Sequence, residues 1–149
     1  MENLKKLISE LKLISWEVDF SSVYRQFENE QRFDFDARMV TVSKIEFETT
    51  KEEFLAKLTA TQKFLASVLG KEKMKVVPLA IEQEIQMIPE LTLPHPSLHL
   101  DPLVTRCGAE VWPDYVHPIL KMTLSELANK APEIHNAEFM LQGKSLVSR

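Results

Sequence analysis

Apolar residues recur along this chain first at helical spacing and then in alternation. Leu4, Leu7, Ile8 and Leu11 share one face behind Glu2 and Asn3, which predicts an amphipathic helix over residues 2–13. Trp16, Val18, Phe20, Ser22 and Tyr24 then alternate with Glu17, Asp19, Ser21, Val23 and Arg25, the period of a half-buried strand. Polar residues 28–38 predict a loop. A second β-rich run, 39–48, sets Val40 and Val42 on one face and Ile45 and Phe47 on the other, a switch that calls for a bulge or for two covered faces. Thr50 with Glu53 writes a capping box, and Phe54, Leu55, Leu58, Leu65, Val68 and Leu69 form a helical stripe that closes at Gly70.

Beyond Gly70 the pattern becomes broken. "MKVVPLAI", 74–81, predicts a strand, with Pro78 pointing to an edge or a bulge because it has no N–H for a ladder. Residues 82–118 read as a proline-punctuated loop with short pieces of structure. Thr123 and Glu126 form a second capping box for a helix over 124–130, which Pro132 stops. Residues 137–149 have strand-forming residues and a Gly turn signal. Helices and strands interleave in the order α, β, β, α, β, long loop, α, β, so the expected class is an α+β sandwich, one domain over residues 1–149.

Composition narrows the function classes. With 149 residues, 44% hydrophobic and 27% charged, the chain can bury a core unaided. A net charge of −4 argues against a phosphate-backbone binder, so no nucleic-acid partner is expected. Cys107 has no partner for an internal disulfide, no signal peptide is evident, and no apolar run approaches the roughly 20 residues that cross a bilayer. No membrane partner and a cytoplasmic location are therefore expected.

The short motifs carry little chemistry by themselves. His95 and His99 are four apart, but Pro94 and Pro96 flank the first, so the two cannot share a helical face as a zinc pair would. Cys107, His117 and His135 lack metal-ligand spacing, and a lone Cys or His is more often packed or solvated than catalytic. Three glycines cannot write a phosphate loop. Glu82 and Glu84 offer two carboxylates, usually a solvated turn after a strand. Lys71, Lys73 and Lys75 alternate and could attract a polyphosphate, although a solvated basic edge that discourages sheet pairing is the commoner use.

The segment "PELTLPHPSLHL" followed by "GAEVWPDYVHPILKMTLSELA" resembles the C-terminal half of the 6-hydroxymethyl-7,8-dihydropterin pyrophosphokinase family of folate biosynthesis. "ENLKKLISEL", "SSVYR", "IEFETTKEEFLAKL" and "VLGK" fall in the family's order upstream, so the resemblance spans nearly the whole chain. It implies a ferredoxin-like α+β sandwich and an ATP site in which the proline-bracketed histidine matches His95, with Thr92 just upstream. Those two residues and Lys71, Lys73 and Lys75 are the nucleotide-binding candidates.

The same resemblance implies lost catalysis. The family holds two magnesium ions with an Asp-x-Asp, and the matching positions are Lys75 and Val77, whose side chains cannot ligate magnesium. The mobile lid loop that should follow the second helix looks deleted, since Gly70 leads almost directly into the next predicted strand. A phosphate-binding Arg and a pterin-stacking Phe match Asp101 and Leu103, and an Asn that reads the pterin edge falls at about Val42. The family's central first strand is missing ahead of "MENLKKL", and "EFMLQGKSLVSR" loosely resembles it, either as a circular permutation that supplies a central strand at 137–142 or as an ordinary tail. The expectation is a degenerate relative with no catalytic residues, no metal and no cofactor, keeping at most weak nucleotide or pterin binding. Two alternatives stand beside it: a working pyrophosphokinase whose metal is held by Glu82 and Glu84, and a scaffold or interaction domain.

Overall fold

A computed structural model of the chain describes residues 8–9, 17–27, 38–69 and 75–143. In order these form β1 (Glu17–Phe20), β2 (Val23–Gln26), β3 (Arg38–Val40), β4 (Ser43–Glu46), α1 (Lys51–Leu69), β5 (Gln86–Ile88), β6 (Leu91–Leu93), α2 (Ser97–Leu100), α3 (Pro102–Val111), α4 (Leu124–Lys130) and β7 (Ala137–Leu141). The class is α+β, with short strands: β1 and β4 pair, β3, β2 and β7 form a sheet in that order, and β5 and β6 form a hairpin. The β2–β3, β2–β7 and β5–β6 ladders are antiparallel. Of the helix expected over 2–13, only Ile8 and Ser9 fall among the described residues, and both are helical. Gly70 and its expected cap, residues 28–37, Lys71, Lys73 and 144–149 lie outside them.

The chain divides into two compact units, Met1–Val18 with Ile45–Val77, and Asp19–Lys44 with Pro78–Arg149. In the first, α1 starts where its sequence says it should. Thr50 Oγ1 accepts from the Glu53 amide at 3.2 Å, and Phe54, Leu58 and Thr61 bury one stripe. Phe47, ahead of the cap, stacks on Phe54 at 4.1 Å between ring centroids and fixes how the chain enters the helix.

The second unit explains why the two expected β runs are each cut in two. Ser21 is fully buried between β1 and β2; its amide donates to the Val42 carbonyl at 2.8 Å, and its hydroxyl accepts from the Val42 amide at 2.9 Å. Thr41 Oγ1 donates back to the Ser21 carbonyl. Two chain corners, one between β1 and β2 and one between β3 and β4, thus satisfy each other's backbone, and the face switch read at 40–47 is a break rather than a continuous strand. Gly143 closes against the same corner: a Cβ there would lie 1.9 Å from the Phe20 carbonyl oxygen, so only glycine allows this approach.

Two expectations are corrected. Residues 75–81 are not a strand. Pro78 removes a donor, and the neighbouring backbone groups bond elsewhere: the Val76 amide donates to Gln62 Oε1 at 2.7 Å, and the Leu79 carbonyl accepts from the His95 amide at 2.7 Å. Residues 137–141 do form a strand, β7, but at one end of the three-stranded order, so among the described residues it is an edge and not the central strand expected at 137–142. The region read as loop over 82–118 also contains the ten-residue helix α3. Helices α3 and α4 pack around Leu98, Tyr115 and Leu124, flanked by Leu79, Ala109, Trp112 and Leu127.

Candidate functional site

The proline-bracketed histidine sits at the junction of the β5–β6 hairpin and α2. Leu93 and Pro94 are buried and anchor the chain on the core side. Pro96 has no N–H, so the first free donor after His95 is the Ser97 amide, and it donates to His95 Nδ1 at 3.1 Å. An imidazole that accepts at Nδ1 carries its proton on Nε2. His95 is half-buried, which leaves one directional donor at the surface. Thr92 is paired across the hairpin with Met87, and its hydroxyl reaches the Ile88 carbonyl at 3.5 Å. Thr92, in β6, and His95, in the β6–α2 connection, both lie in the second unit. Lys75 is exposed in the first unit, and Val77 is partly exposed there.

Three positions at which the resemblance expects ligand contacts have internal tasks. Asp101 is the N-cap of α3, its carboxylate accepting from the Leu103 and Val104 amides at 3.1 and 3.4 Å. Leu103 is buried in the core, and Val42 contributes backbone to the Ser21 corner. Glu82 lies in a turn at φ 48°, with its carbonyl accepting from the Tyr115 hydroxyl, and both Glu82 and Glu84 are exposed.

Sequence reasoning gave no role to a second His-Pro pair. His117 is 1% exposed, and its Nδ1 accepts from the Ile119 and Leu120 amides at 3.2 and 3.0 Å. Its ring meets His99 edge to face at 5.2 Å, and neither His117 Nε2 nor His99 Nδ1 has a hydrogen-bond partner among the described residues. Burial, with the nearby His99 second, pushes the His117 pKa down, so the ring is held neutral. The repeated His-Pro dipeptide was the signal available in the sequence.

The buried nucleophile candidates are disarmed. Burial pushes the Cys107 thiol up to about 11, a thiol rather than a thiolate at neutral pH. Ser22 donates through both its amide and its hydroxyl to Glu110 Oε1, at 2.8 and 2.6 Å, with no imidazole in the pairing to take a proton from the hydroxyl. The Ser22–Glu110 bonds tie the β1–β2 corner to α3. No family model matches this chain, and no curated protein sequence matches it.

Proposed function

We propose that the chain is a ferredoxin-like, pterin-pyrophosphokinase-like protein that binds a nucleotide or pterin weakly and does not transfer a pyrophosphoryl group. The observation that carries this reading is Asp101: where the resemblance expects a phosphate-binding arginine, the side chain is a carboxylate committed to capping α3, and it would repel a polyphosphate. The positions matching the family's metal ligands hold an ammonium and an isopropyl group, Lys75 and Val77, which supports the same conclusion.

What remains for a ligand is modest. His95 Nε2–H and the Thr92 hydroxyl can each form one hydrogen bond, and Lys71, Lys73 and Lys75 add salt-screened charge. Calorimetry with an ATP analogue and with a pterin should give weak heats that His95→Ala reduces and that magnesium does not strengthen. Pterin- and magnesium-dependent release of AMP at ordinary enzyme rates would overturn the reading.

A further inference from the structure

Exposed apolar side chains gather on neighbouring segments of the second unit. Ile85, Met87 and Ile88 line the approach to and body of β5, and Val116, Ile119 and Leu120 occupy the turn around His117; all are more than 40% exposed, Met87 reaching 70%. These segments are fastened side by side. Gln83 Nε2 donates to the Val116 carbonyl at 2.8 Å, and the Tyr115 hydroxyl donates to the Glu82 carbonyl. Leu100, 70% exposed, follows His99, whose ring packs on His117. Single exposed apolar residues need no explanation, but a set held together on bonded segments does.

The backbone adds direction. β5 pairs only with β6 among the described residues, so its other side is a sheet edge. Register puts Met87 opposite Thr92 and Gln86 opposite Leu93; Leu93 is fully buried, so Met87 faces solvent.

The charge around this surface selects the occupant. Segments 82–90, 97–100 and 114–121 carry four carboxylates, Glu82, Glu84, Glu90 and Asp114, against one ammonium, Lys121, all exposed. An anionic lipid surface would be repelled. A second copy paired antiparallel through β5 about Met87 would set Glu84 opposite the other copy's Glu90, like charges directly opposed. A segment of opposite charge meets neither objection. We infer that the β5 edge and the 116–120 turn form a docking surface for an extended segment of another protein in which apolar and basic residues alternate. Strand addition supplies the main-chain bonds, the apolar side chains cover Met87 and its neighbours, and lysines or arginines meet the acidic rim.

The test uses the full chain and two synthetic ten-residue peptides, one alternating Val with Lys and one alternating Val with Glu, titrated by fluorescence anisotropy at low salt. The Val/Lys peptide should bind saturably and at least about tenfold more tightly than the Val/Glu peptide, with the difference shrinking as salt is added. Met87→Lys, at a solvent-facing position that the fold does not need, should abolish that preference. Phe64→Lys, at an exposed site on α1, should leave it intact. Methylating alternate backbone nitrogens of the peptide, on the side that would pair, should remove binding by denying it ladder donors. Absence of binding by the Val/Lys peptide, equal affinity for both peptides, or indifference to Met87→Lys would each overturn the proposal. So would a dimer in sedimentation that Met87→Lys dissolves, which would give the surface to a second copy.

Discussion

The two His-Pro pairs perform the same local task in opposite surroundings. In each, proline removes the first backbone donor after the histidine, and imidazole Nδ1 accepts from the amide that follows: Ser97 for His95, and Ile119 together with Leu120 for His117. His95 is half-buried and serves a four-residue helix, whereas His117 is fully buried inside a loop. That loop is closed by the Val116–Thr123 bridge and by the His117 amide on the Met122 carbonyl. The same dipeptide is therefore available to a ligand at one corner and sealed into the fold at the other. Burial decides which, and the dipeptide alone does not.

Removing the buried ring should have the larger effect. His117→Ala would open a cavity and leave the Ile119 and Leu120 amides without their acceptor, a loss of about 2–4 kcal/mol in urea unfolding. His117→Asn offers an oxygen in nearly the place of Nδ1, as in an Asx-turn, and should recover part of that loss. If Asn were no better than Ala, the ring would be acting by volume alone, and the parallel between the corners would fail.

Acid should test the buried corner next. The native pKa of His117 lies below its ordinary value of 6.5, so the unfolded chain binds its proton first as pH falls. Its stabilising contribution is full above 6.5 and declines as pH falls through that value toward the lower native pKa. Protonation at Nδ1 would also turn the acceptor into a donor facing two N–H donors. The stability of the parent should therefore drop between about pH 7 and pH 5.5 more steeply than that of His117→Asn. Chemical denaturation across that range measures it.

The exposed corner should give a smaller change. His95→Ala removes one cap from a short helix with little loss of packing, and about 0.5–1 kcal/mol is expected. Its larger consequence should be in calorimetry, through loss of the Nε2–H donor. A destabilisation as large as that of His117→Ala would place His95 in the core's service and weaken its candidacy as a ligand contact.

What the sequence made legible follows the strength of its local signals. Both Thr-x-x-Glu boxes start helices, and at α4 both halves of the box form, with Thr123 Oγ1 accepting from Glu126 and the Glu126 carboxylate accepting from Thr123. Helix α3 is hidden in the sequence because proline also marks loops. Asp101–Pro102 is instead an N-cap followed by the proline tolerated in a helix's first turn. The breaks at Ser21 and Thr41 depend on a pairing twenty residues apart in sequence, which no local pattern encodes. The candidate site was legible only as residue types. Whether His95 or Asp101 faces a ligand or a backbone amide is settled by which donors lie within reach, and imidazole is not among the side chains usually sought as caps.

The finest distinction between the corners lies at Lys121, the residue on which the His117 loop turns. Its φ of 58° is left-handed, and its amide donates to the His117 carbonyl at 2.9 Å, closing the turn that Nδ1 caps from the other side. The left-handed backbone costs an L-residue about 1–2 kcal/mol, which glycine would avoid. Glycine would in turn lose about 0.5–1 kcal/mol through the greater freedom of its unfolded chain. The two effects oppose, and Lys121→Gly should stabilise the fold by a few tenths of a kcal/mol up to about 1. The same change removes the one ammonium from an acidic surface, so it should also tighten the Val/Lys peptide slightly. A stabilised variant that bound the peptide more weakly would show that Lys121 contacts the partner, and the acidic rim would then be complementary to a segment of mixed charge.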